Sequence, residues 1–236
     1  LNSNQLDKLG QTKCVAKLSR ADMAASIAMG GTGATTVAAT MIGARLADIS
    51  VFATGGIGGV HRGVEQSHDI SADLYELAQT PVTVVAAGAK AILDLPKTME
   101  VLETLGVPVI AFGQDYLPAF WSATSNIAAP LRMDSAAQIA AAHLMRNQMN
   151  VPGGQLIANP IPKEAEISQT VLHPIIEQAL EEAEAQKITA KKVTPFLLGR
   201  ILELTDGASL TANIALVRNN ARLAAQIATE ICSARK

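Results

Sequence analysis

Cysteine and aromatic residues are scarce in this sequence of 236 residues, and neither sign of charge is in large excess. The two cysteines, Cys14 and Cys232, lie near opposite ends without CxxC or Cys/His ligand spacing. Two cysteines cannot build a disulfide framework for a chain of this length, so a reducing, cytoplasmic setting is expected. Aromatic residues make up 3% of the chain and the formal net charge is −2. These values argue against nucleic acid as a partner, because recognition would need basic patches and stacking platforms.

Long hydrophobic runs are absent as well. No apolar stretch reaches the roughly 18 residues of a transmembrane helix, and the opening LNSNQLDKLG does not resemble a signal peptide. We therefore expect no membrane partner. Hydrophobic residues still make up 49% of the chain, which is ample for a core, and a small molecule is the expected ligand. The chain begins with Leu1 and not with methionine, which favours the interpretation that a further segment precedes it.

Short apolar runs alternate with longer helical patterns, which indicates an α/β fold. Five runs are predicted strands: Lys13–Leu18, Ser50–Thr54, Val82–Ala87, Val107–Phe112 and Gln155–Ala158. Helices are predicted over 20–28, 34–47, 70–79, 96–105, 135–149, 163–186, 194–205 and 209–233. We expect a single domain over residues 1–236, with α/β/α layers around a largely parallel or mixed sheet and a helical C-terminal part.

The segment Phe52–Lys90 carries the strongest functional signal. The strand VFATGG runs into a glycine-rich turn, where backbone N–H groups can approach a ligand closely. His61, Arg62, Asp69 and Asp73 add charge beside this turn. The turn begins like a dinucleotide fingerprint, but His61 replaces the third glycine, so nicotinamide cofactor binding is not predicted.

A second glycine-rich run, Gly30–Thr36, lacks the Lys-Ser/Thr ending of a P-loop. It is nevertheless predicted to open a helix, whose free N–H groups favour an anion such as phosphate. Lys17 follows a predicted strand and has two interpretations. It is either an edge-strand charge that prevents aggregation or a partner of that phosphate.

Each ionisable residue of the Phe52–Lys90 segment has a structural and a functional interpretation. His61 fits a tight loop and His68 a solvent-facing position, since histidine alone is weak evidence for ligation or catalysis. Asp69 and Asp73 are spaced as carboxylates that cap a helix start. The alternative is a hard-cation site, since Mg²⁺ and Mn²⁺ bind to one or two carboxylates together with water and substrate.

Lys90 has the weakest structural explanation, because it follows the most hydrophobic strand and must be partly desolvated. Desolvation lowers the pKa of a lysine and produces an amine nucleophile. Asn213, Asn219 and Asn220 lie in an apolar helical pattern, where asparagine is costly without partners. We predict that at least one of them reaches a site.

Seven blocks carry a resemblance: VFATGGIGGVHRG, HDISADL, AGAKAILD, LETLGVPV, ANPIP, KKVTPFLL and SLTANIALVRNNARLAAQIA. Together they resemble the pseudouridine-5′-phosphate glycosidases, the family that includes indigoidine synthase A-like proteins, from about residue 10 to about residue 230. The resemblance implies reversible cleavage of pseudouridine 5′-phosphate to uracil and ribose 5-phosphate. It also implies a divalent cation, usually Mn²⁺, and an α/β fold that assembles as a homotrimer.

Residue roles follow from the resemblance at matching positions. Lys90 in AGAK matches the Schiff-base nucleophile, and Asp69 in HDISADL matches the metal-binding aspartate. His61 falls in a block that lines the pocket of the family, and we assign it to catalysis together with Lys90. Substrate contacts are implied for Lys17, Thr36, Val37, Ser71, Ala72, Asp73 and Asn213.

The sequence departs from the family pattern at its beginning. Members carry an upstream ALEST-like strand whose glutamate donates a proton, and nothing matching it is present from Leu1 onward. An alternative interpretation is therefore a catalytically inactive, phosphosugar-binding subunit. A third is a sugar-phosphate lyase of aldolase type that uses the same lysine.

Overall fold

The computed structural model describes residues 2–12, 15–188 and 193–234. Its seven strands are β1 Ala16–Leu18, β2 Gly33–Thr35, β3 Val51–Ala53, β4 Thr83–Ala86, β5 Val109–Phe112, β6 Leu131–Met133 and β7 Gln155–Ala158. Strands β3 to β7 form one five-stranded sheet in the order β3-β4-β7-β5-β6, and β1 and β2 form a second, smaller sheet. Every strand pair within the described ranges is parallel.

Ten helices connect or follow these strands in the described residues. They are α1 Ser3–Gln11, α2 Arg20–Ala28, α3 Val37–Leu46, α4 Val64–Ser67, α5 Ala72–Gln79, α6 Leu95–Thr104, α7 Ala136–Gln148, α8 Gln169–Ala185, α9 Val193–Leu204 and α10 Ala208–Ala234. A 3₁₀ turn covers Lys163–Ala165. Within the described part of the chain, no helix is long and apolar enough to cross a membrane.

The core lies on both faces of the larger sheet. Alternate side chains of β4 point to opposite faces, as the two-residue period of a strand requires. Val85 packs with α7 and α10, whereas Val84 and Ala86 join the cluster that contains α3, α5, α6, α8 and α9. These two layers of helices around a parallel sheet confirm the predicted α/β/α class, and α8 to α10 confirm its helical C-terminal part.

The small sheet holds the first departure from the predicted elements. The helix predicted over 34–47 begins only at Val37, because Gly33–Thr35 pairs with Ala16–Leu18 as β2. In β2 only Gly33 is half-buried and the other two residues are exposed, so the strand has no hydrophobic pattern. Part of the strand predicted from Lys13 falls outside the described residues.

Other boundaries differ for identifiable reasons. The segment predicted as one helix over 163–186 contains a 3₁₀ turn and then α8. Between them Ile167 belongs to neither element, since its N–H donates to the Trp121 carbonyl oxygen at 2.9 Å and its own carbonyl accepts from Ser122 Oγ at 2.7 Å. Helix α5 begins at Ala72 and not at residue 70, because Ser71 is its N-cap.

Candidate active site

A cleft of about 1420 Å³ opens where the carboxyl ends of β3 and β4 meet the small sheet. Its walls come from the glycine-rich turn after β3, the loop after β4, the starts of α3 and α5, and helices α9 and α10. Ligands of parallel α/β sheets bind outside the carboxyl ends of the strands, so this is the expected place for a site.

All ten predicted site residues line this one cleft. They are Lys17, Thr36, Val37, His61, Asp69, Ser71, Ala72, Asp73, Lys90 and Asn213. They come from six separate segments of the chain, and the fold brings these segments together. Their chemical roles stay predictions.

Lys90 follows β4 on a loop that is tied to the glycine-rich turn. Its N–H donates to the Ile57 carbonyl oxygen at 3.2 Å, and Ile57 N–H donates to the Gly88 carbonyl oxygen at 3.1 Å. Gly88 has a φ of 84°, which a residue with a Cβ rarely adopts. Burial lowers the pKa of Lys90, the positive charge of Lys17 lowers it further, and the carboxylate of Asp73 opposes both. The amine of Lys90 is therefore easier to deprotonate than that of a solvated lysine.

Asp73 is buried and joins three parts of the cleft wall. Its Oδ1 accepts from Ala38 N–H in the first turn of α3, and its Oδ2 accepts from Gly58 N–H, both at 2.8 Å. Its own N–H donates to Ser71 Oγ at 3.2 Å. A Cβ at Gly58 would lie 2.9 Å from Asp73 Oδ2, so this approach requires glycine.

These contacts correct two sequence-based expectations. The run Gly30–Thr36 is not itself helical, because Gly33–Thr35 forms β2, and only its last residue, Thr36, belongs to the start of α3 as the N-cap. Two N–H groups of that helix start already donate within the protein, Ala38 to Asp73 and Ala39 to Thr36 Oγ1 at 3.3 Å. Gly58 N–H likewise donates to a side chain, and is not left for a ligand.

His61 and Asp69 lie side by side on paired backbone segments. The His61 N–H donates to the Asp69 carbonyl oxygen at 3.0 Å. Burial lowers the pKa of His61, and the charges of Lys17 and Lys90 add to this effect, whereas Asp69 opposes it. Neutral imidazole is therefore favoured at neutral pH. His68, predicted to face solvent, is exposed but also lines the cleft.

The acidic residues bear on the predicted cation. Across residues 2–12, 15–188 and 193–234, no three His, Cys, Asp or Glu side chains are grouped so that they could hold a metal ion. Asp73 already accepts two hydrogen bonds from backbone N–H groups. Asp69 is half-buried at the cleft and is the better placed of the two aspartates for a cation.

Arg62 and Asn219, which the sequence analysis singled out, make contacts outside the cleft. Arg62 does not line the cleft and forms an ion pair with Glu177 of α8. Asn213 lines the cleft, and at least one of the three asparagines of the last helix was predicted to reach a site. Asn219 donates to the Pro160 carbonyl oxygen at 3.0 Å.

Sequence reasoning missed an aromatic wall of the cleft. The ring centroids of Phe120 and Trp121 lie 4.9 Å apart, with the rings packed edge to face, and Phe120 has a φ of 62°. A Cβ at Gly56 would lie 2.6 Å from the Phe120 ring, so glycine allows this packing. The buried Nε1 of Trp121 has no hydrogen-bond partner in the described residues. Two adjacent aromatic residues in a chain with so few were the available signal.

Comparison with known proteins places this arrangement in a family. The family model described as indigoidine synthase A like protein matches residues 1–230. The chain is 69% identical to a pseudouridine-5′-phosphate glycosidase of Paracoccus denitrificans over 99% of its length and 77% of the relative. It is 68% identical to the protein of that name from Jannaschia sp., over 97% of this chain and 76% of the relative.

Solved structures share the same fold. The prealnumycin C-glycosynthase AlnA in complex with ribulose 5-phosphate superposes with a TM-score of 0.93 at 35% identity, over 100% of this chain and 78% of that one. An indigoidine synthase A-like protein from Thermotoga maritima superposes with a TM-score of 0.88 at 32% identity, over 97% and 75% of the two chains. Family model, relatives and structures agree with the resemblance carried by the seven sequence blocks, and the chain belongs to the family of indigoidine synthase A-like proteins.

Proposed function

We propose that this protein is a pseudouridine-5′-phosphate glycosidase, which reversibly cleaves the C–C glycosidic bond of pseudouridine 5′-phosphate to uracil and ribose 5-phosphate. The names of its relatives support the enzyme class and the substrate. A phosphosugar ligand is supported by the ribulose 5-phosphate complex of a structure that shares the fold. The observation that carries the proposal is Lys90, a desolvated amine in the cleft that also contains Lys17 and the starts of α3 and α5.

The chemistry of the bond explains why a lysine is useful. Ribose C1′ is joined to a carbon of uracil, so the two-carboxylate route of ordinary glycosidases has no leaving oxygen to protonate. In the proposed reaction the Lys90 nitrogen bonds to C1′ as the C1′–O4′ bond breaks, so that the ribose ring opens, the nitrogen loses a proton and O4′ gains one. The C1′–uracil bond then breaks, its electron pair leaves with uracil, which takes up a proton, and C1′ remains as an iminium. Water adds to C1′ and releases ribose 5-phosphate and the free amine.

Other cleft residues have supporting roles in this proposal. Neutral His61 is placed to accept and return the proton that moves when the ribose ring opens. Lys17 and the hydroxyl of Ser71 bind the phosphate, and binding energy from this remote group fixes C1′ against the amine. Asn213 lies against Gly55 at the other wall, where the base is bound. The resemblance assigns the proton for the uracil carbon to the upstream glutamate.

A divalent cation, Mn²⁺ by preference, fits the site only if the protein, water and the substrate all contribute ligands to it. Asp69 would hold it through one carboxylate, with water and substrate oxygens completing its shell, as hard cations accept. When bound, such an ion would supply positive charge beside the substrate oxygens. The homotrimer implied by the resemblance is part of the same proposal, and light scattering on a sizing column tests it.

Uracil release from pseudouridine 5′-phosphate tests the proposed function directly. The wild-type chain and Lys90→Arg should be compared with and without an added N-terminal segment taken from the Paracoccus denitrificans relative. Arginine keeps the charge but stays protonated, so it cannot act as the nucleophile. We expect release by the extended wild-type protein and none by its Lys90→Arg variant. Equal release by both would refute the role of Lys90.

A further inference from the structure

A buried pair of amides links α10 to the ends of three strands. Asn220 is fully buried, and its Nδ2 donates to the Thr54 carbonyl oxygen at 2.8 Å and, at 3.5 Å, to that of Gly55. Its Oδ1 accepts from Nδ2 of Asn159, also buried, at 3.0 Å. Asn159 N–H in turn donates to the Ala86 carbonyl oxygen at 2.8 Å. The pair therefore spans the carboxyl ends of β3, β4 and β7.

The chemistry of the pair requires an amide at position 220. One end of the Asn220 side chain must donate to backbone carbonyls while the other accepts from Asn159. An aspartate would place a negative oxygen against the Thr54 carbonyl, and an apolar residue would leave buried polar groups without partners. Because only an amide satisfies both contacts, the pair fixes the position of α10 relative to the ends of the strands.

The fixed peptides lead directly to the predicted nucleophile. Gly55, whose carbonyl lies beside Asn220, also accepts from Ala87 N–H at 2.9 Å. The turn continues to Ile57, whose carbonyl accepts from the Lys90 N–H. On the same helix, two turns before Asn220, Asn213 packs over Gly55, since a Cβ there would lie 3.3 Å from Asn213 Oδ1.

We propose that Asn220 and Asn159 are positioning residues for the cleft. They hold α10 and the glycine-rich turn in one register, and that register sets the separation of Asn213 and Lys90, the groups proposed to face base and sugar. The activity part of this proposal rests on the proposed function. The positioning part does not, because the reactivity of the Lys90 amine can be measured without substrate.

The test compares Asn220→Asp with a matched control that removes a buried amide elsewhere. Gln155 serves as control because it is buried, its Nε2 donates to the Ile139 carbonyl at 3.1 Å, and it does not line the cleft. Each protein carries the added N-terminal segment. Melting temperature, kcat and KM for uracil release are measured, and the rate of Lys90 acetylation by dilute acetic anhydride is followed by mass spectrometry.

We expect Gln155→Ala to lower the melting temperature while kcat and the Lys90 acetylation rate stay at the wild-type values. Asn220→Asp should lower kcat by on the order of 10²-fold, as small misplacements of reacting groups do, and should change the acetylation rate. If Asn220→Asp does not fold, Asn159→Ala replaces it, since this variant keeps the bond to Thr54. A folded variant of either residue with wild-type kcat and acetylation rate overturns the proposal. If the extended wild-type protein releases no uracil, the proposed function fails, and the acetylation rates alone decide the positioning role.

Discussion

Replacing Asp73 by asparagine perturbs the fold and the chemistry of the cleft together. The carboxylate accepts from Ala38 N–H and Gly58 N–H, and it is the negative charge that opposes the lowered pKa of Lys90. Asp73→Asn keeps the shape of the side chain but replaces one oxygen by an NH₂ group. One of the two backbone N–H groups then faces another donor.

The expected loss of stability follows from these two bonds. A hydrogen bond to a charged group contributes about 1.5–3 kcal/mol, and a buried donor without an acceptor costs about 1–3 kcal/mol. Losing one bond and weakening the other should lower the free energy of unfolding by about 2–5 kcal/mol. Urea unfolding of the wild type and the variant measures this difference.

The same substitution should lower the pKa of Lys90 further, because the anion that favours its ammonium form is gone. The assay is the pH dependence of Lys90 acetylation in the absence of substrate, read by mass spectrometry. The midpoint should move to lower pH in Asp73→Asn. Asp69→Asn is the matched control, since the Asp69 charge acts on His61, and its midpoint for Lys90 should stay near the wild type. A midpoint that does not move, or moves upward, in Asp73→Asn would contradict the assignment of Asp73 as the opposing charge.

Two further substitutions and one metal-removal experiment test other parts of the structure. The Arg20 guanidinium donates two hydrogen bonds, at 2.7 and 2.8 Å, to the buried carboxylate of Glu76. Arg20→Ala should lower the free energy of unfolding by about 1–3 kcal/mol, a range reduced because Arg20 itself is half-exposed. Arg132→Ala removes an exposed ion pair and is the control, which should change urea unfolding little. The pKa of His61 lies below its ordinary value of 6.5, so the unfolded chain binds the proton more readily, and stability is lost as pH falls from 6.5 toward that lowered pKa. His61→Gln should flatten this part of a plot of unfolding free energy against pH, and an unchanged slope would contradict the burial argument. If Asp69 holds a divalent cation, a chelator should abolish uracil release by the extended protein and Mn²⁺ should restore it, whereas chelated enzyme with full activity removes the metal from the mechanism.

The three central strands of the larger sheet, β4, β7 and β5, could be predicted because they are buried on both faces. The segments around Val84, Ile110 and Ile157 read as continuous apolar runs, which is typical of parallel strands between two helical layers. Strand β2 and strand β6 could not be found in this way. Each has only three residues, none of which is buried, so neither leaves a hydrophobic pattern in the sequence.

The candidate site was predictable to a similar degree and for a different reason. Residue types and family blocks pointed to Lys90, His61 and Asp69, and the fold brings them to one cleft. The carboxylate of Asp73 was expected to contact a ligand, but in the structure it accepts hydrogen bonds that connect α3 to the glycine-rich turn. Contacts between residues 35 positions apart leave no local pattern in a single sequence.

In the proposed reaction the amine of Lys90 forms a covalent adduct with an opened sugar phosphate. Ribose 5-phosphate is the right probe, because its open-chain aldehyde condenses with an amine without any leaving group to protonate. Incubation with ribose 5-phosphate and borohydride, followed by peptide mass spectrometry, locates the reduced adduct, and Lys97 is an internal control whose pKa is raised by Asp94 and Glu65. We expect one added sugar phosphate at Lys90 and none in Lys90→Arg. Trapping at another lysine, or no adduct at Lys90 in the folded wild-type protein, would contradict it.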